Sequence, residues 1–192
     1  MAKVLAFNCS PRKDGNTAIL LKAVLAEVAA AGHGTELVQL AGKPLRGCTA
    51  CQMCFKNKDR KCVLPDDGLN GYVQKMTEAD GIIVGSPTYF ADMTADAKAL
   101  IDRGGFVSLA NGGLLRRKVG AAVVAVRRGG AVHVFDSINH FFTISQMVIP
   151  GSSYWNFGVG REIGEVAGDE EGMETMKVLG ENMAWLLTKL HA

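Results

Sequence analysis

The sequence predicts a doubly wound α/β fold, in which a parallel sheet lies between two layers of helices. Short apolar runs alternate with helical patterns five times along the 192 residues, and this alternation is typical of β-α-β units. The runs are apolar on both faces, as strands are when helices cover both sides of a sheet. Right-handed crossovers between such strands lead to a three-layer sandwich.

Each predicted element has its own local evidence. The first apolar run is short enough for a buried strand, and the segment after it carries apolar side chains at helical spacing. The pair Gly104-Gly105 is predicted to end the third helix. The predicted strands are 3–8, 35–40, 81–85, 119–126 and 147–149, and the predicted helices are 16–31, 67–79, 92–104, 131–145 and 169–190.

Composition favours one globular domain over residues 1–192, with a cysteine-rich loop at 47–63. Hydrophobic residues make up 48% and charged residues 21% of the chain, which is ordinary for a folded protein. A net charge of +2 does not favour nucleic acid or an anionic membrane as a partner. No apolar run approaches the ~20 residues of a membrane span, and the first residues lack a signal-peptide pattern. We therefore expect a cytoplasmic protein.

The loop after the first predicted strand has the composition of a phosphate site. It combines Ser, Asn, Thr and Gly with two cations, and free amides at the start of a helix attract anions. Ser10 and Thr17 can donate hydroxyl hydrogen bonds, and Arg12 can pair with a phosphate. The alternative is a plain helix cap made by Asn16 or Asp14, but a cap does not explain the Ser-Pro-Arg-Lys run upstream.

The same loop indicates a mononucleotide rather than a dinucleotide. It matches neither a Walker A loop nor GxGxxG, because the Lys-Ser/Thr ending and the glycine spacing are absent. A dinucleotide site would also need an acidic ribose contact after the second strand, where Val38-Gln39-Leu40 offers none. We therefore expect a single phosphate ester at this end of the sheet.

Two aromatic residues follow the third predicted strand. They belong to the run Pro87, Thr88, Tyr89 and Phe90, which lies where open α/β sheets bind ligands, beyond the carboxyl end of a strand. Tyr89 and Phe90 can lie along a flat heteroaromatic ring while backbone amides bind its polar edge. The alternative is that both aromatics pack under the next helix.

These loops resemble those of NADPH-dependent FMN reductases and the related iron–sulfur flavoproteins. The likeness is carried by Ser10-Pro11-Arg12, Gly15-Asn16-Thr17, Gly85 to Phe90, Lys98, Ile101 and Asp102-Arg103. It implies a flavodoxin-like three-layer sandwich with strand order 2-1-3-4-5. It also implies that a loop after the fourth strand approaches the flavin, with a solvated basic turn as the alternative. The expected FMN-binding residues are Ser10, Arg12, Asn16, Thr17, Pro87, Thr88, Tyr89, Phe90, Arg128 and Gly129.

Four cysteines lie within fifteen residues, at Cys48, Cys51, Cys54 and Cys62. Thiolates at positions i, i+3 and i+6 can surround one face of a cubane cluster, with a fourth ligand returning from nearby. The spacing resembles the compact cysteine motif of iron–sulfur flavoproteins, and this resemblance implies a [4Fe–4S] cluster that passes electrons to FMN. Free or redox-cycling thiols and a zinc site remain alternatives.

The resemblance implies an FMN-dependent oxidoreductase. Its electron donor is expected to be NAD(P)H or a reduced ferredoxin-like carrier, and its acceptor a quinone, a flavin, a ferric complex or a protein. The alternative is a ferredoxin-linked electron-transfer flavoprotein without a small-molecule substrate of its own. No side chain needs to act as acid or base, because the redox chemistry belongs to the cofactor. The family likeness also implies a homodimer or homotetramer.

Overall fold

A parallel sheet of five strands, in the order β2-β1-β3-β4-β5, forms the middle layer of the structure, which is a computed structural model. The structure describes residues 1–42, 45–65 and 67–191. The strands are β1 (Lys3–Asn8), β2 (Gly34–Gln39), β3 (Gly81–Pro87), β4 (Val119–Val126) and β5 (Phe157–Val159). The helices are α1 (Asn16–Ala30), α2 (Met53–Asn57), α3 (Leu69–Glu78), α4 (Ala95–Ala110), α5 (Ala131–Ile144) and α6 (Glu170–Leu190), with a 3₁₀ turn at Glu165–Gly168.

The two faces of the sheet pack against different helices. Leu5 and Phe7 of β1 belong to a core shared with α3, α4 and α5, whereas Val4 and Ala6 face a second core formed with α1 and α6. This alternation explains why every residue of β4 is buried. The predicted three-layer flavodoxin-like fold and its strand order 2-1-3-4-5 are therefore confirmed. None of the described helices is both long and apolar enough to cross a membrane.

The fifth strand lies later in the chain than predicted. Residues 147–149 were expected to form it, but there Val148 makes only an isolated bridge with Val119. The strand is Phe157–Val159, which pairs with the carboxyl half of β4. It has only three residues, and its central Gly158 lies against Leu20 of α1. So short a run gives no periodic signal in the sequence.

Helix α4 does not end at Gly104-Gly105 as predicted. It begins after Thr94, whose side chain accepts a hydrogen bond from the Ala97 amide, and it continues to Ala110. A Cβ at position 104 would lie 2.9 Å from Met76 Cε of α3. Glycine at this position therefore permits close packing between helices rather than ending α4. The short helix α2, inside the cysteine-rich loop, was not predicted.

Candidate functional site

A cleft of about 230 Å³ opens at the carboxyl ends of the central strands. This is the edge at which doubly wound sheets bind ligands. The first loop, between β1 and α1, contributes one wall, and the segments after β3, β4 and β5 contribute the rest. The lining residues are Ser10, Arg12, Asn16, Thr17, Pro87, Thr88, Tyr89, Ala125, Arg127, Gly160 and Arg161.

Two amide side chains, those of Asn8 and Gln39, stabilise the conformation of the first loop by hydrogen bonds. Asn8 Nδ2 donates to the Lys13 carbonyl at 3.1 Å and to Gln39 Oε1 at 2.5 Å, and Asn8 Oδ1 accepts from the Ser10 amide. Gln39 Nε2 in turn donates to the Ser10 carbonyl at 2.9 Å. The loop is thus fixed before any ligand arrives, which reduces the entropic cost of binding one.

Helix α1 starts without a side-chain cap among the described residues. Asp14, one candidate cap, lies 3.6 Å from Lys22. Asn16, the other, donates to the Glu162 carbonyl at 3.0 Å and accepts from the Gly164 amide at 2.9 Å. The plain-cap interpretation of this segment is therefore wrong. The amide of Ala18 donates to the Gly15 carbonyl at 3.0 Å, but the amides of Asn16 and Thr17 have no acceptor among the described residues, and a helix start of this kind favours an anion.

The segment after β3 contributes a buried hydroxyl to the cleft. Thr88 donates its backbone amide to the Ala125 carbonyl at 2.9 Å, but its Oγ1 atom is buried with no hydrogen-bond partner in the described part of the chain. A buried hydroxyl without a partner costs about 1–3 kcal/mol. A polar ligand atom in the cleft would satisfy it.

Phe90 lies at the tip of a tight turn and not in the wall of the cleft. Tyr89 and Asp92 exchange two backbone hydrogen bonds, and the two residues between them, Phe90 and Ala91, have φ values of 49° and 61°. Phe90 is fully exposed, whereas its neighbour Tyr89 lines the cleft. The alternative that both aromatics pack under the next helix is therefore wrong for Phe90.

Seven of the ten predicted cofactor residues line the cleft, and Phe90, Arg128 and Gly129 do not. Arg127 contributes in place of Arg128, and it is the first residue after β4. That position after the predicted end of the strand could have identified it. Gly160 and Arg161 follow the true β5 and were missed because the fifth strand was predicted too early. Whether each lining residue contacts FMN stays a prediction.

The four clustered cysteines surround a second, smaller cavity beside α4. Cys48 and Cys51 are exposed, while Cys54 and Cys62 are half-buried and pack against the core. Cys62 is held by Asn70 of α3, which accepts from its amide at 2.8 Å and donates to its carbonyl at 3.0 Å. All four predicted ligands thus line one cavity, and whether they bind a metal stays a prediction.

The backbone of this loop is strained. Ala50, Gln52, Lys58 and Arg60 all have φ values between 51° and 61°, in the left-handed region that residues with a side chain avoid. They make up half of the eight such non-glycine residues that the structure describes. Strain of this kind persists where the surroundings enforce it, and it concentrates at functional sites.

The thiols of the loop differ in acidity. A hydrogen bond from the Met53 amide lowers the pKa of the exposed Cys51 thiol, and together with a weaker one from Thr49 it outweighs the opposing effect of burial. Burial raises the pKa of Cys54.

Across residues 1–42, 45–65 and 67–191, no three Cys, His, Asp or Glu side chains converge on a point where one metal ion could bind.

The five-stranded sheet and its order define a flavodoxin-like protein. The family model for NADPH-dependent FMN reductase matches residues 2–162. The chain is 40% identical to an iron–sulfur flavoprotein of Methanocaldococcus jannaschii over 189 residues, which are 95% of each chain. It is 37% identical to an iron–sulfur flavoprotein of Archaeoglobus fulgidus over 152 residues, covering 78% of this chain and 72% of that protein.

A solved structure shares the whole fold. The crystal structure of RosB with bound 8-demethyl-8-formylriboflavin-5'-phosphate has a TM-score of 0.80 to this chain at 18% identity, covering 100% of this chain and 81% of RosB. At that level of identity the likeness shows the fold alone. The family match and the identity to the relatives carry the assignment, and the chain belongs to the NADPH-dependent FMN reductase family.

Proposed function

We propose that this chain is an FMN-dependent oxidoreductase that moves electrons from NAD(P)H or a reduced carrier to a second acceptor. The observation that carries the proposal is the cleft at the carboxyl edge of the sheet. It combines the uncapped start of α1 with hydroxyl, guanidinium and aromatic side chains. These are the groups that a phosphate ester joined to a flat ring requires.

The first loop is suited to the phosphate of FMN. Ser10 and Thr17 are buried residues of the cleft wall, and Thr17 lies in the first turn of α1. Ser10 Oγ accepts a hydrogen bond from the amide of Arg12, whose side chain is exposed. A guanidinium binds a phosphate through charge-assisted hydrogen bonds, and the helix start adds unpaired amides. In this proposal these groups fix the phosphate end of the cofactor.

The opposite wall is suited to the ring. Thr88 supplies a buried hydroxyl without a partner, which can bind a polar atom of the isoalloxazine, and Tyr89 supplies an aromatic face. FMN, once bound, accepts a hydride or single electrons and donates them onward. The protein's own part is to hold the ring in this cleft and to limit the access of water and of the reaction partners.

We further propose that Cys48, Cys51, Cys54 and Cys62 hold a [4Fe–4S] cluster. Each iron of a cubane takes one thiolate, so the four sulfurs need not converge on one point as they would around a single zinc ion. Their common cavity supports this assignment, as do the relatives that are named iron–sulfur flavoproteins. Such a cluster would pass single electrons to the flavin.

The surface around the cysteines favours an acidic electron carrier as one donor. The loop carries four exposed cations, Lys56, Lys58, Arg60 and Lys61. Opposite charges steer such encounters and accelerate association. A ferredoxin-linked electron-transfer flavoprotein, without a small-molecule substrate of its own, is therefore the second candidate function. In either case we expect the chain to act as a homodimer or homotetramer.

Anaerobic purification followed by spectroscopy and turnover tests the proposal. We expect a flavin spectrum together with a broad iron–sulfur absorbance, and iron and sulfide near four atoms each per chain. Oxidation of NAD(P)H coupled to a quinone or ferric acceptor supports the oxidoreductase. Electron exchange only with reduced ferredoxin supports the carrier instead. A colourless protein that takes up neither added FMN nor iron and sulfide would overturn both candidates.

A further inference from the structure

Arg103 of α4 is the largest fully buried side chain in the described part of the chain, with only 2% of its surface exposed. Buried arginines are rare unless they are paired. This one lines the cavity that the four cysteines surround. A permanent positive charge therefore lies at the inner wall of the cysteine site, although four cysteines do not need a cation beside them to bind a metal cluster.

The hydrogen bonds of Arg103 leave part of its guanidinium available. Nη1 forms an ion pair with Asp67 and donates to the Arg46 carbonyl at 3.0 Å. The Nε atom is buried and has no partner within residues 1–42, 45–65 and 67–191. Burial alone would lower the pKa of Arg103, but the Asp67 carboxylate stabilises its charge, and the pKa is raised. Arg103 and Cys62 line the same cavity.

Two roles are possible for such a group. In the first, the pair Arg103–Asp67 only ties the loop to α4, since Asp67 also accepts from the Arg46 amide at 2.9 Å. A clamp of this kind would use its donors fully, because a buried donor without a partner is costly. In the second, the guanidinium also serves the group that the cysteines hold. The unpaired Nε and the place of Arg103 in the wall of the cysteine cavity favour the second role.

We propose that Arg103 is a positioning residue that raises the reduction potential of the cluster held by the four cysteines. The opposite charge of Asp67 lowers the same potential in part. The inference rests on the proposed function, because it presumes that the cysteines hold an iron–sulfur cluster. Reduction adds negative charge to a cluster, and nearby positive charge and hydrogen bonds to sulfur stabilise the reduced form. Asp67 carries the opposite charge and partly cancels this effect.

The test compares the midpoint potential of the cluster in Arg103→Gln, Asp67→Asn and the native chain. The potential is measured by anaerobic redox titration, with EPR to detect the reduced cluster. Arg103→Gln removes the positive charge, so we expect a lower potential. Asp67→Asn removes the opposing charge, so we expect a higher one. Lys98→Gln removes an exposed charge from the same helix, where Lys98 pairs with Asp102, and its potential should match that of the native chain.

The direction of the two shifts separates the roles. A clamp without an electrostatic role would be loosened by both substitutions, so shifts in the same direction, or no shift in either variant, would overturn the inference. If Arg103→Gln does not retain a cluster, Asp67→Asn decides alone: a raised potential supports the inference and an unchanged or lowered one overturns it. A native chain that shows no cluster after reconstitution with iron and sulfide would overturn the cluster assignment and the inference together.

Discussion

Arg12 and Lys13 are neighbouring cations in the first loop, but only Arg12 lines the cleft. We expect Arg12→Gln to weaken FMN binding about tenfold to a hundredfold, because a hydrogen bond to a charged group contributes roughly 1.5–3 kcal/mol. Lys13→Gln is the matched control, since it removes the same charge from an exposed side chain, and its affinity should change far less. Fluorescence titration of the flavin-free variants measures both. Equal losses in the two would mean that general charge, not a contact, attracts the phosphate.

Substitutions at Thr88 and Thr94 are expected to change the free energy of unfolding differently. In flavin-free Thr88→Val a hydroxyl without a partner is lost, so the free energy of unfolding should stay the same or rise. FMN affinity should fall about threefold to tenfold, because one neutral hydrogen bond is lost. Thr94→Val removes a hydroxyl that donates to the Cys9 carbonyl at 2.9 Å and caps α4, and should lower the free energy of unfolding by about 1–2 kcal/mol. Unchanged FMN affinity in Thr88→Val would contradict the contact that we propose between its hydroxyl and the ring.

At the scale of elements, α4 joins the two sites. Its capping residue Thr94 donates to the Cys9 carbonyl in the first loop. In its first turn Asp96 accepts from the Leu45 amide at 3.1 Å, and further along Arg103 binds Asp67. One helix therefore contacts the first loop and the segments on either side of the cysteine-rich loop, and its Arg103 lines the cysteine cavity. A displacement of α4 would reach both sites together.

Two glycines test the course of the backbone around these elements. Gly105 lies inside α4, and a Cβ there would meet Phe141 at an ordinary 3.4 Å. We expect Gly105→Ala to raise the free energy of unfolding by about 0.5–1 kcal/mol, because alanine favours the helix. Gly130 has a φ of 90° and a Cβ there would lie 2.8 Å from Ala91 Cα, so Gly130→Ala should lower it. Chemical denaturation measures both. A destabilised Gly105→Ala would show that α4 is not continuous there.

The ion pairs of β2 predict a dependence of stability on pH. Hydrogen bonds from Lys75 and then Lys3 lower the pKa of Glu36 below its ordinary value of 4.5. A carboxylate with a lowered folded-state pKa stabilises the fold fully above its unfolded pKa, and this contribution is lost as the pH falls through the folded value. We expect Glu36→Gln to cost about 0.5–1 kcal/mol at pH 7 and progressively less at acid pH. Denaturant unfolding at pH 7 and below pH 4 compares it with Glu181→Gln.

Glu181 of α6 is exposed and makes no ion pair in the part of the chain that is described. Its substitution should therefore leave stability nearly constant at both pH values. A Glu36→Gln difference that does not shrink on acidification would assign the effect to packing rather than to charge.

For the whole molecule, the sequence was sufficient to predict the layered fold but not all of its boundaries. Strands such as Val119–Val126 are apolar throughout, and helices must cover both faces of them, so the architecture follows from hydrophobic burial alone. The three-residue β5 buries too little to leave a pattern. The path of α4 through Gly104-Gly105 depends on packing against Met76, which is a tertiary contact that local propensity does not report.

The candidate site, too, could be predicted from the sequence only in part. Residues directly after β1 and β3, such as Arg12 and Thr88, could be placed at the cleft because the carboxyl ends of parallel strands share one edge. Arg161 could not, because its position depends on the unpredicted β5. The exposure of Phe90 also depends on a turn whose two central residues have left-handed backbone conformations. The sequence does not predict this turn, because neither Phe nor Ala favours a positive φ.

The central claim is that the cleft binds FMN through its phosphate, and a competition between two flavins tests it most directly. Flavin-free protein is titrated with FMN and with riboflavin, which share the ring and the ribityl chain and differ only in the phosphate. We expect FMN to bind at least about a hundredfold more tightly, because the first loop adds charge-assisted hydrogen bonds. Equal affinities for the two flavins, or no binding of FMN, would contradict the account.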